Sequence, residues 1–378
     1  MVGDMRQFRE RFPIFEHTTY LNSCSMGALA DEVRASMIGY LDDLERDGSL
    51  WATWVSRQDE VRRRLAQVFR TDPTQVAVTA SASAAVSSIA SAVLTDPRRP
   101  RVITTELEFP TVGQIWHARE RQGAEVVHIP STSNLGIDMK ALDAAVDDRT
   151  AIVSVTHVCY RNGAMTNLAP VIELAHSRGV PVLVDAYQSV GAVPIDFPAL
   201  GADFLVGGVL KYMLGLPGVG FALASPATVQ YVPSITGWFA ARDIFAMDIH
   251  AYDPAVDARR FEGGTPVVPC LYPAAAGLGL LLEVGLDRAW EHSRRLHEQL
   301  RQTVLDIGGT VVTPAEHHGP MLAVEATDDH ALVAALEGDR VITSCRDGNL
   351  RISPHFYNNA DDIEIVGKAL QRHRHLLR

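Results

Sequence analysis

The stretch Pro181-Val182-Leu183-Val184-Asp185, with Ala202-Asp203-Phe204-Leu205-Val206-Gly207-Gly208-Val209-Leu210-Lys211 after it, decides the fold. Both runs are short, apolar and rich in β-branched residues, which is typical of buried strands in a parallel sheet. Ligands of open α/β sheets bind outside the carboxyl ends of the strands. We therefore expect Asp185 and Lys211 to lie at one edge of a sheet, where a carboxylate and an amine face the same ligand.

A carboxylate and an amine at such an edge suit pyridoxal phosphate (PLP). Lys211 would form a Schiff base with the cofactor aldehyde, and Asp185 would keep the pyridine nitrogen protonated, so that the ring accepts electrons from a carbanion. The alternative is a common strand-end aspartate and an ordinary surface lysine, because a motif is a hypothesis until its context agrees. The rest of the chain favours the cofactor.

The composition is that of a soluble globular enzyme. The chain has 378 residues, of which 47% are hydrophobic and 21% charged, so it can bury a large core shared by two domains. Its formal net charge of -11 argues against nucleic acid as a general partner, because phosphate binding needs basic patches.

The cysteines and the N-terminus predict a reduced cytoplasmic protein without a metal site or a membrane partner. None of the four cysteines lies in a CxxC pair; they are Cys24, Cys159, Cys270 and Cys345. The N-terminus has no apolar signal core, and no apolar run is long enough to span a bilayer.

The order of the predicted elements indicates an α/β fold. Strand-like and helix-like stretches alternate between residues 76 and 222, which predicts a mostly parallel sheet with helices on both faces. After about residue 270, a long helical stretch (273–307), short strands (310–312, 321–324 and 350–352) and a final helix predict a smaller α+β domain. We predict a large PLP-binding domain over residues 20–270 and a discontinuous small domain formed by residues 1–19 and 271–378.

Two groups at predicted strand ends are candidates for cofactor contacts. Ser81-Ala82-Ser83 opens a helix, where backbone N–H groups bind phosphate, although an N-cap serine is the alternative. Phe109 follows another strand and would stack on a cofactor ring; alternatively it is a core residue, with Pro110 simply starting a helix.

Four further residues are candidates for the site. His157 and Tyr160 follow the strand Ile152 to Val155, although a lone histidine is more often structural. Gln188 lies three residues after Asp185 and would donate to a phenolic oxygen on the ring. Arg351 would hold a substrate carboxylate through two hydrogen bonds, the alternative being a surface salt bridge.

These pieces together resemble the fold-type I PLP enzymes of the class V aminotransferase group, which includes cysteine desulfurases, selenocysteine lyases, kynureninases and isopenicillin-N-epimerase-like proteins. The resemblance covers nearly the whole chain. It is carried by Val184-Asp185-Ala186-Tyr187-Gln188, Lys211-Tyr212-Met213-Leu214-Gly215, Phe109-Pro110-Thr111, Arg260-Phe261-Glu262-Gly263-Gly264-Thr265 and the region from Arg351 to Asn358.

The resemblance implies a large domain with a mostly parallel seven-stranded sheet flanked by helices, and a homodimer with active sites at the interface. The implied substrate is an amino acid. Catalytic roles are implied for Lys211, Asp185, Phe109 and His157. Cofactor contacts are implied for Ala82, Ser83, Phe109, Asp185, Gln188, Lys211 and, from the neighbouring subunit, Thr265. Substrate contacts are implied for Arg351, Asn22 and Tyr160.

Three departures from the group's patterns bear on the activity. Desulfurases carry Ser-x-His before the lysine, where this chain has Gly208, Val209 and Leu210, so its phosphate must be held by other groups or more weakly. Cys345 lies only six residues before Arg351, which argues against a persulfide mechanism at its thiol. Kynureninases carry an aspartate after Phe-Pro-Thr, where this chain has Val112.

We therefore expect a PLP enzyme that acts on an amino acid or an amino-acid-containing metabolite. A β-elimination-type lyase cleaving a C–S or C–C bond is favoured, in a specialised biosynthetic pathway. The alternatives are a class V aminotransferase, a decarboxylating or epimerising variant, and a degenerate member that binds PLP without turnover. A nucleotide-binding protein is disfavoured because no GxGxxG or GxxxxGK[ST] motif follows any strand.

Overall fold

A computed structural model of the protein describes residues 5–378. Its strands are β1 (Thr19–Tyr20), β2 (Val76–Thr79), β3 (Arg101–Thr105), β4 (Glu125–Ile129), β5 (Thr150–Thr156), β6 (Val182–Asp185), β7 (Phe204–Gly208), β8 (Gly220–Ala224), β9 (Leu322–Glu325), β10 (Val341–Ile342), β11 (Ser344–Arg346) and β12 (Asn349–Ile352).

The α-helices alternate with the strands in the first two thirds of the chain. They are α1 (Arg6–Arg9), α2 (Asp31–Asp47), α3 (Trp51–Val68), α4 (Ala82–Val93), α5 (Pro110–Arg119), α6 (Met139–Ala145), α7 (Leu168–Ser177), α8 (Phe197–Leu200), α9 (Val268–Val284), α10 (Leu286–Asp306), α11 (Asp329–Gly338) and α12 (Ala360–Arg372).

The large central sheet has seven strands in the order β2-β8-β7-β6-β5-β3-β4. The strands from β3 to β7 are parallel to their neighbours, whereas β8 is antiparallel to both β2 and β7. The predicted α/β fold with a mostly parallel seven-stranded sheet is therefore confirmed.

The sheet is buried on both faces, which explains its apolar, unalternating strands. Val182, Val184 and Leu205 face one apolar layer, to which helix α7 contributes. Leu183 and Val206 face the other layer, to which helix α4 contributes. Successive side chains point to opposite faces of a strand, so both layers need apolar residues from the same short segments.

The fold gathers strand ends at one edge of the sheet. Strands β5 and β6 end together, because Thr156 pairs with Asp185, and Asp185 pairs with Val206 of β7. Since β8 is antiparallel to both β2 and β7, strand β2 also ends at this edge, where β8 begins with Gly220. The segments that follow β2, β3, β5, β6 and β7 therefore meet at one site.

The C-terminal part forms a smaller layer of strands and helices. Strands β11, β12 and β9 make an antiparallel sheet, and their apolar residues cluster with those of α10, α11 and α12. Strand β1 pairs with β10, and Arg9 of α1 forms a 2.7 Å ion pair with Asp362 of α12. The N-terminal segment thus contacts this smaller unit.

Two local predictions in this region are wrong. The long helix predicted over residues 273–307 is two helices, α9 and α10, which meet at an angle of 78° around Gly285. Gly285 has a φ of +83°, a conformation that ends a regular helix. The strand predicted at residues 310–312 is reduced to an isolated bridge between Val311 and Val324.

Helix α9 packs in the core of the large sheet rather than in the smaller unit. Its side chains Leu271, Ala274, Leu278 and Leu281 belong to the same apolar cluster as strands β5 and β6. The domain division at residue 270 stays a prediction, and this packing favours a boundary nearer Gly285. Residues 1–4 of the predicted small domain lie outside the described residues.

Within residues 5–378, no helix taken singly has the length and apolar character needed to cross a membrane; only the bent pair α9 and α10 would meet that test jointly, by length and composition alone.

Candidate active site

A cavity of about 260 Å³ opens at the edge where the strand ends meet. Every segment that lines it follows one of the central strands. Its wall includes Ser81, Ala82, Ser83, Phe109, Val112, Thr156, Tyr160, Asp185, Tyr187, Gln188 and Lys211. The structure therefore brings most of the predicted site residues together.

The charges of Lys211 and Asp185 act on each other's pKa within this cavity. Burial lowers the pKa of the Lys211 amine to about 8, although the charges of Cys24 and Asp185 oppose the shift. Burial raises the pKa of the Asp185 carboxyl, against the opposing effects of the Tyr187 N–H and of Lys211. The amine is thus partly neutral near physiological pH, which a nucleophile and proton carrier requires.

Asp185 has an oxygen to offer a ligand. Its Oδ1 accepts a 2.9 Å hydrogen bond from the backbone N–H of Tyr187. Its other oxygen has no hydrogen-bond partner among the described residues, although the side chain is only 8% exposed. A cationic N–H placed against that oxygen would satisfy it and lower its pKa.

A second buried carboxyl lies beside Asp185. Glu108 directly precedes Phe109, and its Oε1 accepts a 3.1 Å hydrogen bond from the Thr105 hydroxyl. Burial, followed by the charge of Asp185, raises the pKa of Glu108 well above its ordinary value. Two buried carboxyls so placed oppose each other's ionisation, so a charge on Asp185 favours the protonated form of Glu108.

Two aromatic rings flank the Lys211 amine. The Nζ atom lies 4.5 Å from the centre of the Tyr187 ring and 5.9 Å from that of Phe109. Phe109 is 42% exposed and meets the Tyr160 ring edge to face, with 4.9 Å between ring centres. Phe109 is therefore a surface of the cavity and not the core residue of the alternative interpretation.

The first turn of helix α4 forms another side of the cavity. Ser81 is the N-cap, because its Oγ accepts a 3.1 Å hydrogen bond from the N–H of Ala84. The N–H groups of Ala82 and Ser83 have no hydrogen-bond partner among residues 5–378. Both predicted uses of this motif thus coexist, since the serine caps the helix while the next two N–H groups stay available to an anion.

The Gln188 side chain is fixed by one hydrogen bond, and its amide oxygen remains free to accept another. Its Nε2 donates a 3.1 Å hydrogen bond to the carbonyl of Cys24, while its buried Oε1 has no partner in the described chain. Gln188 was predicted to donate to a ring oxygen. The observed orientation instead turns the amide NH₂ toward Cys24, so that predicted contact requires the amide to rotate.

Arg351 is buried beside the cavity and donates to neutral oxygens of Tyr160, Ser25 and Ser344, a group that we call the Arg351 pocket. Its Nη1 donates to the Tyr160 carbonyl at 2.9 Å. Its Nη2 donates to the hydroxyls of Ser344 and Ser25 at 3.0 and 3.3 Å. Its Nε has no partner within the described residues, and no carboxylate there forms an ion pair with this guanidinium.

Asn22 lies next to this pocket. It forms an isolated bridge with Ser353, two residues after Arg351, and its Oδ1 lies 3.8 Å from the thiol of Cys24. That thiol is also 3.8 Å from the hydroxyl of Ser344. The predicted substrate residues Asn22, Tyr160 and Arg351 therefore surround one region, although they come from distant segments.

The structure does not bring His157 or Thr265 to the cavity wall. His157 Nδ1 donates to Ser189 Oγ at 2.9 Å, because the serine proton is used on the Ala186 carbonyl. Burial lowers the pKa of His157 to about 4, so this ring is neutral and supports the turn after Asp185. Thr265 is exposed and accepts a 3.3 Å hydrogen bond from Trp238. Their roles stay predictions.

Cys345 points away from Arg351. In the pairing of β11 with β12, Ser344 lies opposite Arg351, whereas Cys345 lies opposite Leu350. Neighbouring strand residues face opposite ways, so the Cys345 thiol lies on the far side, 3.7 Å from His330. Its burial raises the pKa of the thiol.

The residues present fit a bound PLP. The free Asp185 oxygen suits a pyridine N–H, Phe109 suits an aromatic ring, and the free N–H groups at the start of α4 suit a phosphate. Lys211 supplies the amine that a cofactor aldehyde requires.

Sequence reasoning missed Glu108, Ser25 and Ser344. Glu108 directly precedes Phe109, so its position next to a candidate was an available signal. No local pattern marks Ser25 or Ser344, because they meet Arg351 only through the tertiary fold.

Comparison with known proteins gives a consistent result. The family profile described as "Aminotransferase class-V" matches residues 48–366. An uncharacterized aminotransferase, YcbU, of Bacillus subtilis (strain 168) is 31% identical over 373 residues, covering 97% of this chain and 98% of its own. The kynureninase of Pseudomonas fluorescens is 28% identical over 387 residues, covering 96% and 92%.

A solved structure shares the fold. A C-DES mutant with glycine covalently linked to its PLP cofactor superposes with a TM-score of 0.88 at 21% identity, covering 96% of this chain and 98% of that one.

Proposed function

The chain belongs to the class-V aminotransferase family of PLP-dependent enzymes, and from this premise we propose that it is a lyase that cleaves a C–S or C–C bond at the β-carbon of an amino acid or an amino-acid-containing metabolite. The observation that carries the proposal is the position of Lys211. Its amine lies in the cavity beside Asp185, between two aromatic rings, with a pKa lowered to about 8.

The protein's own groups divide the work. Bound PLP supplies an electron sink for negative charge that develops at the substrate Cα. Lys211 is placed to take and return the Cα proton, since it combines access with a lowered pKa. Asp185 would accept a hydrogen bond from the ring nitrogen through its free oxygen and favour the protonated form of that nitrogen. Arg351 would orient the substrate carboxylate, and Phe109 would offer the cofactor ring an aromatic surface.

The pattern shared with kynureninases favours a lyase over the other reactions of the family. Phe109-Pro110-Thr111 and Lys211-Tyr212 are the shared features. Val112, which replaces the kynureninase aspartate, lines the cavity. The replacement therefore changes the surface that a substrate contacts. We propose a substrate other than kynurenine, one with an apolar group near Val112.

Aminotransfer is the second candidate, because the relative from Bacillus subtilis carries that description. Both reactions begin with removal of the Cα proton by the same lysine. They differ in what leaves: a β-substituent in a lyase, and the amino group in a transferase.

Product analysis separates the two candidates. The purified protein with PLP is given a panel of amino acids that carry a β-leaving group, without any 2-oxo acid. A lyase releases the cleaved side chain over many turnovers, together with a 2-oxo acid and ammonia after elimination at a C–S bond, or with alanine after hydrolytic cleavage of a C–C bond. A transferase stops after one equivalent and resumes when a 2-oxo acid is added, which would refute the lyase proposal.

Lys211→Ala is the control for this experiment. We expect turnover to fall by about 10²- to 10⁴-fold, the range for loss of a positioned acid–base group. Lys368→Ala, at an exposed lysine of helix α12 that does not line the cavity, serves as the matched surface control. Full turnover in Lys211→Ala would show that the reaction does not use this cavity.

We also propose that the enzyme is a homodimer in which Thr265 reaches the partner's cavity. Large apolar side chains are exposed in the segment that precedes Thr265: Phe245 at 57%, Ile249 at 88% and Val256 at 64%. Such a surface is typical of an interaction site. A monomer mass at micromolar concentration in sedimentation, with the cavity loaded, would contradict this role for Thr265.

A further inference from the structure

A glycine lies where the desulfurases of the family carry a serine, and a tyrosine fills its place. A Cβ atom added to Gly208 would lie 2.6 Å from the hydroxyl oxygen of Tyr187 and 2.7 Å from two of its ring carbons. Real Cβ atoms essentially never show such contacts, so a side chain at position 208 would require the Tyr187 ring to move from its observed place.

The register of the sheet shows which part of the cavity the Tyr187 hydroxyl faces. Gly208 pairs directly with Gly220, and a Cβ on Gly220 would meet the backbone at Ser81 and Ala82. Directly opposed Cβ positions lie about 5 Å apart on one face of a sheet. The Tyr187 hydroxyl and the first turn of helix α4 therefore lie on the same face, within about 10 Å of each other.

We propose that Tyr187 is a phosphate-binding residue of this enzyme, whose hydroxyl donates to the cofactor phosphate in place of the missing serine. The inference rests on the proposed location of that phosphate at Ala82 and Ser83. It also answers how this chain holds a phosphate with Gly208, Val209 and Leu210 before its lysine.

The chemical state of Tyr187 suits this task. Its side chain lines the cavity, and its hydroxyl has no hydrogen-bond partner among residues 5–378. Burial, with the charge of Asp185, raises the pKa of Tyr187 to about 12, so that the hydroxyl keeps its proton and is a donor. Phosphate oxygens accept such donors strongly, because the acceptor is charged.

The ring of Tyr187 serves a different purpose from the hydroxyl. It lies 4.5 Å beneath the Lys211 amine, so it positions the lysine through contact with its face. Tyr187→Phe keeps this ring and removes only the hydroxyl. The variant therefore tests the phosphate contact without opening a cavity.

The test compares two ligands that differ only in the phosphate. Dissociation constants of pyridoxal 5′-phosphate and of pyridoxal are measured by equilibrium dialysis for the apoprotein and for Tyr187→Phe. We expect Tyr187→Phe to weaken binding of the phosphorylated ligand by about 10- to 100-fold, the loss of a hydrogen bond to a charged group, and to leave pyridoxal within about twofold. Equal losses for both ligands, or no loss, would overturn the inference.

A second variant keeps the test decisive if the first one folds poorly. Tyr187→Ala makes room at position 208, and Tyr187→Ala with Gly208→Ser supplies a hydroxyl from the other strand. We expect the double variant to recover at least tenfold of the preference for the phosphorylated ligand that Tyr187→Ala loses. No recovery would argue that position 208 does not face the phosphate. If the unaltered protein binds neither ligand, the proposed cofactor site itself fails.

Discussion

The cofactor cavity and the Arg351 pocket adjoin each other but are built in opposite ways. The cavity is open and lined by segments that directly follow strands of one sheet. Several of its polar groups lack hydrogen-bond partners in the described part of the chain: an oxygen of Asp185, Oε1 of Gln188 and the first N–H groups of α4. Arg351 is buried, and two of the three hydrogen bonds of its guanidinium, to Tyr160 and Ser25, join residues 191 and 326 positions apart in the sequence.

This difference shows which part of the enzyme is arranged to bind a ligand without rearrangement. Buried polar groups without hydrogen-bond partners cost free energy, so a ligand that bonds to these groups of the cavity would be stabilised there. Within residues 5–378, the Arg351 guanidinium is already hydrogen-bonded, but only to neutral oxygens. If Arg351 binds the substrate carboxylate as we propose, that carboxylate must displace or join Ser25 and Ser344, and this pocket is then the part that rearranges on binding.

Of the changes that leave the cavity intact, the largest expected effect comes from one in the Arg351 pocket. Arg351→Lys keeps the charge but loses the two-pronged geometry, so we expect kcat/KM for an amino acid to fall about 10²-fold, mainly through KM. The affinity of the apoprotein for PLP should stay within about twofold. Steady-state kinetics and equilibrium dialysis measure the two quantities.

An amine that lacks the α-carboxylate is the matched probe for this prediction. Arg351→Lys and the unaltered enzyme should react with this amine equally fast, because the amine has no carboxylate for either side chain to bind. A loss of PLP affinity as large as the loss of kcat/KM would mean that Arg351 maintains the cavity and does not read the substrate.

The two regions also differ in how well the sequence predicts them. Asp185, Lys211, Phe109 and Ser83 were predictable because each follows a short apolar run, and parallel strands end at one edge. The partners of Arg351 were not, because Ser25 reaches it over 326 residues of chain and no local pattern records that contact.

The orientation of Cys345 and the break in the predicted long helix also depend on tertiary contacts. The side to which Cys345 points depends on a strand register that one residue of slip would reverse. The break of the predicted long helix depends on Gly285 adopting a positive φ, which its surroundings decide. Local patterns thus predict which chemistry the cavity holds, whereas specificity depends on tertiary contacts.

The pH dependence of PLP capture tests the lowered pKa of Lys211 and involves the cavity alone. Only the neutral Lys211 amine attacks an aldehyde, and its pKa is lowered to about 8. The rate at which the apoprotein captures PLP should therefore rise about tenfold from pH 7 to pH 9 and then level off. Stopped-flow absorbance measures this rate, and a rise that continues toward pH 10.5 would show an unshifted lysine.

The direction of this shift has a consequence for stability. Because the folded pKa lies below the unfolded one, the unfolded chain binds more protons between about pH 8 and 10.5, and Lys211 destabilises the apoprotein less as the pH rises through that window. Asp185→Asn removes a charge that raises the lysine pKa. The plateau of the capture rate should then begin at a lower pH, whereas Arg351→Lys should leave it in place.

The smallest expected effect comes from the thiol that lies beside Arg351 in sequence but not in space. Cys345→Ser should change kcat/KM by no more than about twofold, because the side chain faces His330 on the far side of β11. Cys24→Ser is the informative partner, since that thiol lies 3.8 Å from Ser344 within the Arg351 pocket. A larger loss of kcat/KM in Cys345→Ser than in Cys24→Ser would contradict this prediction. It would mean that β11 adopts another register in the working enzyme, so that the Cys345 thiol turns toward Arg351.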